Sequence, residues 1–379
     1  MALLASPTPT PSLLGIVLNI GGTPNGGYIG AKYWDDPGAF HNGFKGLCSV
    51  FVTAAFAFTG TELVGLAAAE TASPRKSLPT AIKQVFWRIT LFYIVSLTLV
   101  GLLVPYNDPR LLLPGSSAAA SPFVIAIENA GIEVLPSVMN VVILIAVLSV
   151  GNSSVFGSSR TLAALADQGQ APRILAYIDR RGRPLAAIVV ASLMGLLAYL
   201  ADVDSQADIL EWLLSISGLS SIFTWGSVCL AHIRFRRAWA ARGHRVGELA
   251  FASQCGVLGS WLGFIFNVLV LIAQFWVGLW PIDGGSGSPG RTVPSNNNSD
   301  AALTPSDRAR SFFLQFMAVP IVMAFFVVHR LWAHTRVIRV ADMDLDTGRR
   351  EFNLPLLLTQ EREERLGWPR WKKVYKFFC

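Results

Sequence analysis

FVTAAFAFTGTELVGLAAAE, residues 51–70, is apolar enough to enter a bilayer, yet Thr59-Gly60-Thr61-Glu62 interrupts it near its middle. A helix that breaks there frees backbone N–H and C=O groups. Hydrocarbon cannot satisfy those groups, so such a break persists only facing protein or a water-filled cavity. Glu62 brings an ionisable side chain to the same depth, where a carboxylate is costly and is commonly retained for function. The stretch therefore reads as a candidate substrate site, with the remaining chain as the scaffold around it.

Composition agrees with a membrane setting. Of 379 residues, 52% are hydrophobic and 15% charged, with a mean hydropathy of +0.48. A soluble domain carries about 25% charged residues. Seven apolar segments follow in order, near 47–68, 85–105, 134–156, 184–201, 209–230, 257–280 and 312–330. Runs of roughly 18–24 residues, rising about 1.5 Å each, match the hydrocarbon thickness. Leu13–Ile20 is too short to span about 30 Å, and the glycine-rich stretch after it reads as an exposed loop.

The net charge of +7 is a matter of topology, so no nucleic-acid partner is implied. Lysines and arginines in the connections near 69–84, 157–183 and 231–256, together with Arg88 and the tail from His329, make 25 of the 31 basic residues. The positive-inside rule places these in the cytoplasm. The N-terminal stretch, the acidic link DVDSQAD and the sequon Asn297-Asn298-Ser299 then lie outside. The four cysteines show no metal-ligand spacing and imply no disulfide framework. No glycine-rich phosphate loop ends in Lys-Ser or Lys-Thr, so neither a cofactor nor a metal is expected. Nor does any His, Asp or Cys constellation point to an enzyme.

FAFTGTELVGLAAAE, ASPRKSLPTAIKQVFWRI, LVPYNDPRLL, LSVGNSSVFGSSRTLAALADQGQAP and EWLLSISGLSSIFTWGSVCLAHIRFR together resemble the fungal amino-acid permease family, of the amino acid–polyamine–organocation superfamily. The similarity runs from about Gly15 to the C-terminus. It implies an all-α membrane protein with about seven transmembrane helices. These would be the second inverted repeat plus the last two helices of a LeuT-like transporter fold. On this reading residues 1–46 are the end of a preceding helix and an extracellular loop. Residues 47–330 are the second half of the permease domain, and 331–379 form a cytoplasmic tail. The chain then corresponds to an N-terminally truncated permease, expected to be inactive alone unless it assembles with the missing N-terminal half.

The same resemblance assigns roles. Phe56, Phe58, Thr59, Gly60 and Thr61 match the broken sixth helix of the family, where freed carbonyls can take a substrate ammonium and freed N–H groups its carboxylate. Phe56 suits a gate, although both phenylalanines could simply pack. Glu62 sits where the family implies proton coupling. Its alternative is to cap the broken helix, and the two roles are compatible. Ser153 and Ser154 are secondary candidates, since relatives of this fold place ion-binding hydroxyls on that helix. Ser217–Ser221 reads first as a close helix contact. Cys379, ending an aromatic-aromatic-cysteine sequence, implies S-palmitoylation beside a basic-aromatic patch that meets membrane lipids. The function implied is plasma-membrane amino-acid uptake with protons by alternating access. A seven-helix receptor or a transporter-like amino-acid sensor is the alternative.

Overall fold

A computed structural model describes residues 10–22, 27–40, 42–67, 74–112, 121–132, 135–197, 199, 206–249, 252–253, 255–280, 309, 312–313, 315–332, 334–345, 363 and 367–369. The sequon at Asn297 and the lipidation candidate Cys379 lie outside these residues. Every regular element among them is helical. In chain order they are α1 (Thr10–Ile20), α2 (Gly43–Ser49), α3 (Phe51–Phe58), α4 (Leu63–Ala67), α5 (Pro74–Leu103), α6 (Pro122–Asn129), α7 (Leu135–Asp167), α8 (Leu185–Gly195), α9 (Gln206–Ala241), α10 (Gly256–Leu279) and α11 (Ala318–Trp332). Short 3-10 turns join some of them.

Five spans among the described residues are long and apolar enough to cross a membrane: Gly43–Gly65, Ser77–Leu103, Leu135–Asp167, Trp212–Ala241 and Gly256–Leu279. The sequence leads one to expect about seven. The other two apolar segments appear as the shorter α8 and α11. Their described helices number 11 and 15 residues, a rise of about 17 and 23 Å. The long helices also overrun their apolar cores. α5 starts at Pro74, a residue whose fixed φ and missing N–H suit a first helical turn, so the basic connector at 74–77 begins a helix. α7 continues to Asp167 and α9 to Ala241. α9, at 36 residues, is about 54 Å long and carries Arg234, Arg236 and Arg237 beyond its apolar part.

Packing divides the helices into two groups. α1, α5, α6, α7 and α8 form one. Its core joins Leu18, Leu103, Val104, Ile125, Ala126, Ile127 and Ala130. α2, α3, α9, α10 and α11 form the other, around Val52, Ala55, Leu219, Ile222, Val270 and Ala318. Within the second group the buried amide of Gln274 donates to the Cys48 carbonyl at 2.9 Å, tying α10 to α2. His232 Nδ1 and Ser260 Oγ lie 2.7 Å apart and tie α9 to α10.

The first group is closed at one end by a charged knot. Asp108 Oδ1 accepts from the Arg110 backbone N–H at 2.9 Å and from its Nε at 3.0 Å, while Oδ2 accepts from a terminal nitrogen at 2.7 Å. Arg110 also donates to Asn129 Oδ1 at 2.6 Å and pairs with Glu128 at 3.4 Å, fastening the loop after α5 to the end of α6. The Arg110 hydrogen bond and charge hold the buried Asp108 carboxyl below its ordinary value. A depressed carboxylate stabilises the fold above its unfolded pKa, and that stability is lost as pH falls through the folded value. Replacing Asp108 by Asn is therefore expected to lower the thermal midpoint in detergent near neutral pH. A charge-assisted bond of this kind contributes about 1.5–3 kcal/mol. The gap between wild type and Asp108→Asn should close as pH drops below about 4. A gap that stays constant with pH would contradict the role assigned to the charge.

Candidate functional site

The break occurs where the sequence places Thr59 to Glu62. α3 stops at Phe58. Thr59 leaves helical geometry at ψ 140°, and Gly60 adopts φ +97°. Side chains rarely take that φ, because Cβ crowds the carbonyl. Space is not what selects glycine here, since an added Cβ would meet only Leu63 Cδ1 at 3.8 Å. The backbone conformation selects it.

The last four carbonyls of a helix lack intrahelical donors. Those of α3 find substitutes. Thr59 Oγ1 donates to Ala55 O at 3.2 Å, and the Thr59 N–H to Phe56 O at 3.1 Å. The Tyr93 hydroxyl donates to Ala57 O at 2.9 Å, and the Thr61 N–H to Phe58 O at 3.4 Å. Each carbonyl keeps a second lone pair for a further donor. On the far side of the break, Glu62 Oε2 accepts the Gly60 N–H at 3.1 Å and the Trp225 indole N–H at 3.4 Å. The carboxylate thus both caps the break and joins it to α9. Thr59 Oγ1 and Ser221 Oγ, 3.0 Å apart, make a second link to α9.

The sequence-predicted residues divide accordingly. Phe58 packs on Tyr93 of α5 with ring centroids 4.8 Å apart. Phe56 is 40% exposed, and Glu62 is also exposed on the surface of the described protein. Thr59, Gly60, Thr61 and Glu62 come together in one polar turn. Ser154 bonds back to Val150 O at 2.9 Å on its own helix. Ser153 is half-buried, one turn before Gly157, where Leu63 seats so closely that an added Cβ would lie 2.7 Å from Leu63 Cδ2. α4 therefore approaches the face of α7 that bears Ser153. Gly218 performs the same service for α3: a Cβ there would stand 2.7 Å from the Val52 carbonyl. That agrees with reading Ser217–Ser221 as a close contact, and Ser221 also reaches the break.

Tyr93 and Trp225 were not singled out from sequence. Both are amphipathic aromatics inside apolar helices, and each uses its polar tip as a donor. That chemistry is the signal that could have found them.

Among known proteins, the family model described as "Amino acid permease" matches residues 12–341. The general amino-acid permease GAP2 of Candida albicans is 55% identical over 374 residues, which cover 97% of this chain and 60% of the relative. The general amino-acid permease GAP1 of Saccharomyces cerevisiae is 51% identical, covering 97% of this chain and 59% of the relative. The histidine permease of the same yeast is 49% identical, covering 93% and 57%. The chain thus spans about 60% of the length of the general permeases it matches. No solved structure matches.

The backbone argument gives a direct test by thermal unfolding in detergent. Gly60→Ala should destabilise the protein by about 1–2 kcal/mol, the cost of a side chain in a left-handed conformation. Gly65→Ala, in open space within α4, should be neutral or mildly stabilising, because alanine is the better helix former. Equal behaviour of the two variants would contradict the strain argument.

Proposed function

Because the chain belongs to the amino acid permease family, whose named relatives here are transporters and not enzymes, we propose that it carries the substrate-facing broken helix of a plasma-membrane amino-acid transporter. It is a multi-pass membrane protein, with five long apolar helices among the described residues. The fold proposed is the second inverted repeat plus the last two helices of a LeuT-like transporter. Residues 47–330 form its membrane domain, and 331–379 the cytoplasmic tail.

The polar turn at Thr59–Glu62 carries this reading. It is an interruption of the first long span, bounded by Ser221 and Trp225 on one side and Tyr93 on the other. The second lone pairs of the α3 carbonyls suit a substrate ammonium, and turn N–H groups released from their present carbonyls, such as that of Thr61 from Phe58 O, would suit its carboxylate. Exposed Phe56 is the side chain placed to close over a bound amino acid. Glu62, the carboxylate of the turn, is the proposed proton carrier. Protonation would weaken its hold on the Gly60 N–H, so proton binding and backbone rearrangement are coupled at one atom.

A polar turn exposed at this depth requires a complementary surface, because lipid against Glu62 and the turn's backbone would cost several kcal/mol. We propose that this surface is the counterpart of the part of the relatives that the chain does not match, in the same polypeptide or a partner. Substrate choice depends on that surface. The relatives' own names range from general to histidine permease.

The test is radiolabelled amino-acid uptake in a permease-deficient yeast. The chain would be expressed alone and joined to the unmatched part of the Saccharomyces general permease. The joined form is expected to accumulate amino acids faster as external pH falls. Glu62→Gln should reduce accumulation to near background and remove the pH dependence, with surface delivery unchanged. Binding at the surface without accumulation would favour a sensor, and an unaltered pH profile in Glu62→Gln would remove the proton role.

A further inference from the structure

The end of α11 and the segment after it form a groove that the transport reading does not use. It is open, with a volume of about 400 Å³, and is lined by Val327, Arg330, Leu331, His334, Thr335 and Arg336. His334 takes φ +46°. This left-handed turn folds the chain back so that Arg336 shares one concavity with Arg330. The following segment is held in place from α9. Arg234 donates to the Ile338 carbonyl and Arg242 to the Met343 carbonyl, and the turn Val340–Asp342 packs on the same helix. The groove is thus a preformed one, built from a helix end and a pinned strap.

Its chemistry is two-sided. Arg330 and Arg336 make no ion pair among the described residues, and both are exposed. Leu331 and Trp332 at the same helix end are 68% and 84% exposed, and Val327 continues the apolar wall one turn back. An exposed tryptophan at a helix end is the usual anchor at a membrane–water boundary. Opposing the cations are the partial negative charge of the α11 C-terminus, about half a unit, and Asp342 further along the strap. Two guanidiniums outweigh these. A soluble anion would gain nothing from the apolar wall, whereas a tethered phosphate would lay its acyl chain along Val327 and Leu331.

We infer that this groove is a binding site for an anionic phospholipid of the leaflet to which the basic-residue distribution assigns the tail. The site is independent of whether the protein transports. Because α9 bears both the strap's anchors and the Ser221 and Trp225 contacts to the break, lipid there would brace the helix that lines the candidate substrate site.

Native mass spectrometry of the purified chain tests this. The probe is an equal mixture of phosphatidylserine and phosphatidylcholine with identical acyl chains. Wild type is expected to retain phosphatidylserine preferentially, and Arg330→Gln/Arg336→Gln to lose about tenfold of that preference, each basic residue near a membrane surface being worth roughly a few-fold. Arg180→Gln/Arg181→Gln removes equal charge from an exposed turn on the same predicted side and should keep it. Should the first double variant not purify as a monodisperse species, Arg336→Gln alone, outside the helix, is read the same way. Unchanged preference in the groove variant would overturn the assignment. So would equal loss in both double variants, which would mean diffuse attraction. Displacement of the lipid by millimolar inorganic phosphate would also overturn it, by identifying a soluble phosphate site.

Discussion

A helix cannot stop inside hydrocarbon without new partners for its backbone, and that constraint organises this structure. At the end of α3 four carbonyls are met by the Thr59 hydroxyl, two turn N–H groups and the Tyr93 hydroxyl. Past the break, Glu62 takes the Gly60 N–H. These donors come from the turn itself and from α5, while α9 holds the turn's side chains through Trp225 on Glu62 and Ser221 beside Thr59. Both neighbouring helices thus contact the break, α5 at its backbone and α9 at its side chains. It also draws together the hydroxyls, the indole and the carboxylate that make the site polar.

The break also decides how the molecule is divided. α3 packs with α9 and α10, while α4, only a few residues on, packs against α5 and α7. Gly218 admits the α3 backbone and Gly157 admits Leu63, so each half of the broken span sits tightly in a different group of helices. An unbroken helix through 51–67 could not serve both. Gly60 permits the change of direction because its backbone enters a region that side chains resist. Thr59, Gly60, Thr61 and Glu62 are thus a joint as well as a candidate binding turn. α9 then carries contacts at the joint through Ser221 and Trp225 to the arginines that hold the segment after α11.

Much of this is legible in the chain. Thr-Gly-Thr-Glu inside an apolar run announces a break, and the positions of the long spans follow from apolar length. What escapes is of two kinds. Helix ends overrun the apolar segments, because Arg, Gln and Ala continue a helix in water as readily as in lipid. That is how α9 gains its basic extension, and why hydropathy alone stops it near residue 230. Partners distant in sequence also escape. Tyr93 for Ala57, Trp225 for Glu62 and Gln274 for Cys48 pair residues from different helices, and no local pattern marks which polar tip meets which freed carbonyl. The short α6 belongs here too. Pro122–Asn129 is buried through Val124 to Ile127, but eight residues are too few to stand out beside spans three times as long.

On the transport reading proposed above, the turn at Thr59–Glu62 moves as the joint between two packed groups of helices. The most direct measurement is a spin-label distance between Leu258 on α10 and Asp167 on α7, in a transport-competent form with its four native cysteines replaced. The distance would be recorded with and without a transported amino acid. The account predicts a distance distribution that shifts on adding substrate, and a loss of that shift in Gly60→Ala. A single unchanged distribution in protein that still accumulates amino acids would contradict it.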